Sequence, residues 1–234
     1  MQVENIVLLM YLVQTVICIK KKMKSHLLLN LQTDQTLLTL LNKNSTLKIK
    51  NVGLNPTRTG FYEILKKQKV KINFKNIIKD NNEIRGDILI KSSKLKPMNV
   101  PASLYPRTTD EYLILFVLAS LTNGVSTFKG ISELKGKESS RAYEMKKILN
   151  QIDVKCKLSQ NEMKIYGKGM IDASNKKIVV GNLGDHRVAM CAFILATLTN
   201  AKTIINNFET VFTSSPSFLK IMKLRKLTKF IQIY

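Results

Sequence analysis

Tryptophan is missing altogether from this chain, and acidic side chains are few: 16 Asp and Glu stand against 38 Lys and Arg. The formal net charge of +22 raises nucleic-acid binding as a first possibility. Other absences argue against it. There is no zinc-finger spacing of Cys and His, and no aromatic–glycine RNA-binding motif. The lysines are spread along the chain, and a wealth of Lys, Asn and Ile is what an AT-rich coding sequence produces. Acidic small substrates account for part of the charge and codon bias for most of it.

Cysteine is scarce too. Cys18, Cys156 and Cys191 form an odd, widely spaced set, which offers no metal-ligand pattern and fits a reducing cytosol. Cys191 lies in an apolar run and reads as core. His26 has no partner in sequence. A membrane-spanning run is also lacking. Ile6–Ile19 is largely apolar but falls short of the roughly 20 residues that cross a bilayer. Its lysines, Lys20 to Lys22, follow it, whereas a signal peptide carries its cations first. A buried helix or a meaningless translated stretch is expected there, with no membrane partner. A chain of 234 residues can hold one or two domains with a sizeable core.

Three segments carry chemistry. Lys137-Glu138-Ser139-Ser140-Arg141 opens a helix-like stretch that runs to Asn150. On a helix, Lys137 and Arg141 would share one face, where like charges repel unless an anion lies between them. A helix N-terminus already favours an anion. The plainer alternative is a Glu138–Arg141 pair on a solvated face, worth a few tenths of a kcal/mol. Thr109-Asp110-Glu111-Tyr112 opens the apolar run Leu113–Leu121, and Gly184-Asp185-His186-Arg187 opens Val188–Leu198. In both, Asp stands where an N-cap belongs. His186 reads equally well as a structural helix-start residue or as a group supporting the site. Three such helix starts suit substrates bearing phosphates and carboxylates.

These starts fall in a repeat. Leu40-Leu41-Asn42-Lys43-Asn44-Ser45-Thr46-Leu47 returns as Leu121-Thr122-Asn123-Gly124-Val125-Ser126-Thr127-Phe128, and again, one residue shorter, from Leu198 to Ile204. Each copy reads as a helix end, a turn and a short strand. A second helix is expected after each, near Arg58–Lys67, Lys137–Asn150 and Pro216–Leu224. The spacing exceeds the usual solenoid periods of about 20–50 residues and argues for three copies of a compact unit. Strands are expected at Val70–Phe74, Asp87–Lys91, Val154–Leu158, Met163–Tyr166 and Lys177–Val180. Strands and helices alternate, so the class is α/β or α+β. Asn55 to Gly60 reads as a turn plus N-cap with a structural role.

Together these segments resemble the C-terminal half of the EPSP synthase (3-phosphoshikimate 1-carboxyvinyltransferase) family. Asn51–Gly60, Gly86–Lys96, Thr109–Tyr112, Lys137–Arg141 and Asp185–Met190 match its motifs in order, over about Leu37 to Met222. The resemblance implies an inside-out α/β barrel domain of three βαβαββ-type units over residues 37–234. It implies transfer of the enolpyruvyl group of phosphoenolpyruvate to the 5-hydroxyl of shikimate 3-phosphate in the cytoplasm, with no metal or organic cofactor. Asp110 matches the carboxylate that takes the proton of the attacking hydroxyl, and Glu138 the one that handles protons at the methylene carbon. Lys137 matches a lysine near the shikimate phosphate, and Arg141 and Arg187 match arginines that hold phosphoenolpyruvate. Glu133 and Asp185 join the substrate-binding set on the same ground.

The chain also departs from the family. Ser140 stands where Asp is normal, Thr109 where an apolar residue is, Leu113 where Pro follows the Tyr, and Ser215 where the ending carries Phe. The tail Lys223–Tyr234 drifts further. The family's N-terminal domain has no counterpart here. Residues 1–36 read as non-homologous or scrambled sequence, and a separate chain could supply the missing wall. The alternatives are the related UDP-N-acetylglucosamine enolpyruvyl transferase, an inactive remnant, and a basic nucleic-acid-binding module of the RNA phosphate cyclase type.

Overall fold

The computed structural model describes residues 17–19, 25–41, 44–80, 83–216, 218–221 and 231–233. The chain divides into two compact units, Met1–Leu95 and Lys96–Tyr234. Of the expectations above, most of Ile6–Ile19 and of the tail lie outside the described residues, as do Asn42, Lys43 and the end of the third helix pair. Among the described residues, no helix is long and apolar enough to cross a membrane.

The first unit runs β1 (Ile17–Ile19), α1 (Ser25–Leu41), β2 (Thr46–Gly53), α2 (Gly60–Lys67), β3 (Ile72–Asp80) and β4 (Glu83–Lys91). The expected break at Thr36 falls inside α1, whose described side chains are largely buried. A short 3-10 turn, Pro56–Arg58, precedes α2, and Asn55 caps it by accepting from Thr57 N at 3.1 Å. That is the structural role expected of this segment. Helix α2 is amphipathic: Phe61, Tyr62, Ile64 and Leu65 are buried, while Lys66 and Lys67 occupy its last turn, where cations suit the dipole.

The sheet order is β1-β2-β4-β3, with β1 parallel to β2 and the other pairs antiparallel. Register shifts in β2 (between Ile49 and Val52) and β3 (between Lys75 and Ile78) flank Gly86 and Asp87 of β4. Asn51 and Asn76 take positive φ there. Asp87 holds both bulges, accepting from Asn51 N at 3.0 Å and Asn76 Nδ2 at 2.9 Å. A Cβ at Gly86 would meet Leu54 Cδ1 at 2.9 Å and the Lys75 carbonyl at 3.0 Å. The Gly86-Asp87 pair is therefore a clamp on two bulges.

The second unit holds two more copies. One is β5 (Asn99–Val100), α3 (Tyr112–Ser120), β6 (Gly124–Lys129), α4 (Arg141–Asn150), β7 (Cys156–Leu158) and β8 (Glu162–Gly167). Its sheet order, β5-β6-β8-β7, and strand directions repeat those of the first. The other is β9 (Lys177–Val180), α5 (His186–Thr199), β10 (Lys202–Ile205), α6 (Thr210–Ser214), α7 (Phe218–Ile221) and β11 (Ile231–Ile233). Here β10 pairs parallel with β9 and also with β11, so its last strand runs opposite to its counterparts. Leu40, Leu121 and Leu198 each stand at a helix end just before β2, β6 and β10, which are the equivalent positions expected. The mixed α/β class expected from the alternation is thereby met.

Helices α3 and α5 are apolar on every face and are accordingly buried, with Leu115, Phe116, Phe193 and Ile194 at 0% exposure. They pack on each other and on α4. Tyr112, Phe116 and Phe128 stack edge to face, with centroids 5.0 to 6.0 Å apart. Helix α5 ends at Asn200, whose φ of 58° is the left-handed cap.

Candidate active site

The packing of α3, α4 and α5 brings their N-terminal ends together in the second unit. Each end begins differently. Asp185 caps α5, its Oδ1 accepting from Arg187 N at 3.1 Å and Val188 N at 3.4 Å. Gly184, with φ of 62°, makes the turn into it. Asp110 does not cap α3. Glu111 holds the N-cap position without a side-chain cap bond, and Asp110 lies one residue earlier. Helix α4 starts at Arg141, four residues later than the sequence predicted, with Ser140 as its N-cap and no side-chain bond from it.

That late start changes the first segment. Lys137 ends the 3-10 helix Ser132–Gly136 in an extended conformation with ψ of −168°, so Lys137 and Arg141 share no helix face. Lys137 is exposed, and so is Glu133 in the same 3-10 helix. The Arg141 side chain is 3% exposed. Its partners are carboxylates: Nε donates to Asp185 Oδ2 at 2.9 Å and Nη2 to Glu138 Oε2 at 2.6 Å. Ser139 Oγ donates to Asp185 Oδ2 at 2.8 Å. Burial works to raise the Asp185 carboxyl, but hydrogen bonds and charge from Arg141, with help from Ser139 and Val188 N, hold it below its ordinary value.

Arg187 organises the other carboxylate. Its Nη2 lies 3.2 Å from Asp110 Oδ2 and its Nη1 donates to the Asp110 carbonyl at 3.1 Å. Beside it, His186 Nδ1 is 3.6 Å from Glu138 Oε2. Burial holds the imidazole below its usual pKa; Glu138 pulls it up, and Arg187 pushes it down. Asp110 and Glu138 are thus joined through the consecutive residues His186 and Arg187. Both are about half exposed, at 46% and 49%, and their ion pairs engage only one oxygen of each, Oδ2 of Asp110 and Oε2 of Glu138. That combination, a carboxylate positioned by an arginine with its second oxygen open, can hold or release a proton against bound substrate.

The sequence prediction brought together here comprises Asp110, Glu138, Arg141, Asp185 and Arg187. Ser139 was missed as a contributor, and its hydroxyl could have been found only by knowing that Asp185, far along the chain, comes to meet it. Glu138, Asp185 and His186 present donor atoms within 4.8 Å of one another, the metal-like cluster among the described residues. The Arg141 guanidinium lies on both carboxylates, so a divalent cation would have to displace it.

A family model described as EPSP synthase (3-phosphoshikimate 1-carboxyvinyltransferase) matches residues 37–222. Among curated relatives, the 3-phosphoshikimate 1-carboxyvinyltransferase of Petrotoga mobilis is 35% identical over 184 residues, covering 79% of this chain and 42% of the relative. That of Bacillus subtilis is 32% identical over 186 residues, covering 80% and 42%. The chain therefore spans less than half the length of these relatives. A solved EPSP synthase from Acinetobacter baumannii superposes with a TM-score of 0.73 at 29% identity, covering 83% of this chain and 44% of that one. With its motifs in order, its repeats in matching topology and this model match over most of its length, the chain belongs to the EPSP synthase family.

Proposed function

We propose that this chain supplies one half of an enolpyruvyl-transfer site, acting on phosphoenolpyruvate and shikimate 3-phosphate. The observation that carries the reading is the pair Asp110 and Glu138, each fixed by an arginine through one oxygen and open at the other. The 5-hydroxyl oxygen attacks C2 of phosphoenolpyruvate as its proton passes to Asp110, and Glu138 delivers a proton to C3. In the second half, Glu138 takes a proton back from C3 while the C2–O bond to phosphate breaks and phosphate leaves. Arg187 and the unengaged Nη1 of Arg141 hold the phosphoenolpyruvate anion, and Lys137 meets the shikimate phosphate. Glu133 completes the substrate side, and Asp185 acts through Arg141. No step calls on a metal or organic cofactor.

The same reading takes residues 37–234 as the C-terminal domain of such an enzyme, residues 1–36 as a segment outside it, and the opposing wall as coming from a separate domain. The compartment is the cytoplasm, which suits the buried, reduced thiols of Cys156 and Cys191. Neither nucleic acid nor membrane enters the reading. Calorimetric titration with phosphoenolpyruvate tests the anion site. Weak saturable binding, reduced about tenfold in Arg187→Ala, is expected. Unchanged affinity in that variant would remove Arg187 from the site.

A further inference from the structure

A cavity of about 390 Å³ opens beside the start of α4, within the size range of small-molecule sites. None of the carboxylate–arginine network lines it. One wall is apolar, formed by Ile131, Ala142 and Leu158, of which the first two are almost fully buried. Tyr143 adds a ring that is half exposed, with Lys147 Nζ 5.3 Å from its centroid. Ser159 also lines it, its hydroxyl bonded to the Glu162 backbone, and the remaining polar lining comes from Lys135, Ser140 and Gln160. None of these three side chains has a hydrogen bond or ion pair among the described residues.

An unpaired ammonium, a free hydroxyl and a free amide beside an apolar wall and an aromatic ring fit one ligand chemistry. The charged end calls for a single anionic group, and the wall calls for a flat apolar body to displace its water. Ser140 matters because the family motif carries Asp there. A carboxylate at that position would put a negative charge into the same lining as Lys135 and repel an anion. We propose that this cavity binds a small aromatic monocarboxylate, with the carboxylate on Lys135 and Ser140 and the ring against Tyr143. It is a second anion site, distinct from the one where the helix starts meet, and it stands whether or not the reaction proposed above is correct.

Calorimetry and ligand-observed NMR on the whole chain test this, with benzoate, benzyl alcohol and inorganic phosphate as probes. Benzoate should bind saturably and about tenfold or more tighter than either of the others. Lys135→Gln and Ser140→Asp should each weaken benzoate by about tenfold or more. Asp is a favoured N-cap and Lys135 is exposed, so the far-ultraviolet circular dichroism of both variants should match the parent. Arg187→Ala should leave benzoate binding unchanged. Phosphate binding as tightly as benzoate, full affinity in Ser140→Asp and Lys135→Gln, absence of saturable benzoate binding, or its loss in Arg187→Ala would each overturn the proposal.

Discussion

Arg141 is almost completely buried, and a guanidinium so far from water is tolerable only because two carboxylates accept its hydrogen bonds. Asp185 is equally buried and also caps α5. Removing its charge leaves Arg141 short of a partner, so Asp185→Asn should cost roughly 3–5 kcal/mol, measured by urea unfolding near neutral pH. The pH dependence follows from the lowered Asp185 carboxyl. The unfolded chain binds that proton more readily, so the contribution is fully present above the ordinary value of 3.8 and is lost as pH falls through the lower folded value. The stability gap between parent and variant should therefore close in strong acid; a gap that widens there would contradict the assignment. Sequence alone indicated that Arg141 and Asp185 belong to one site. It did not indicate that they bond to each other, because the contact joins residues 44 positions apart and depends on where α4 begins.

Two contacts decide whether elements stay in place. Gly167 ends β8 where the backbone carbonyls of Ala119 and Thr122 press against the position a Cβ would take. Gly167→Ala should therefore cost about 1–3 kcal/mol or more, seen as a lowered thermal midpoint. On β9, the Gln151 side chain acts as a strand would: its Oε1 accepts from Val179 N at 2.6 Å and its Nε2 donates to Val179 O at 3.1 Å. Without it, this sheet edge presents open backbone groups, the usual template for self-association. Gln151→Ala should lose about 1 kcal/mol and aggregate faster on heating, as followed by light scattering. The runs Leu113–Leu121 and Val188–Leu198 were legible as helices because they are apolar on all sides and too long for single strands. The 3-10 helices Ala102–Arg107 and Ser132–Gly136 were not, since such short turns carry no periodicity. Residues 137–140, which follow the second of them, are not helical, and α4 starts only at Arg141.

The repeat gives the whole chain its logic. Two sheets share one strand order, the helix ends recur before β2, β6 and β10, and the third copy differs in the direction of β11. This plan was readable from the thrice-repeated turn, because a turn before a β-branched strand has local signals. The double bulge at Gly86-Asp87 was not, because only pairing with both neighbours reveals it. What the repeat positions is a face where α3, α4 and α5 begin, carrying Asp110, Glu138 and Arg187, in a chain that spans 42% of its relatives' length. Positioning of reactants can supply roughly 7–11 kcal/mol of a barrier, and under the function proposed above this chain supplies one wall, too little to hold both substrates in attacking geometry. The most direct test is phosphate release from phosphoenolpyruvate with shikimate 3-phosphate, measured on this chain alone and with the separately expressed N-terminal domain of a relative. Negligible release alone, release restored by the added domain, and its loss again in Glu138→Ala is the predicted result; full turnover by the chain alone, or restored turnover that survives Glu138→Ala, would contradict it.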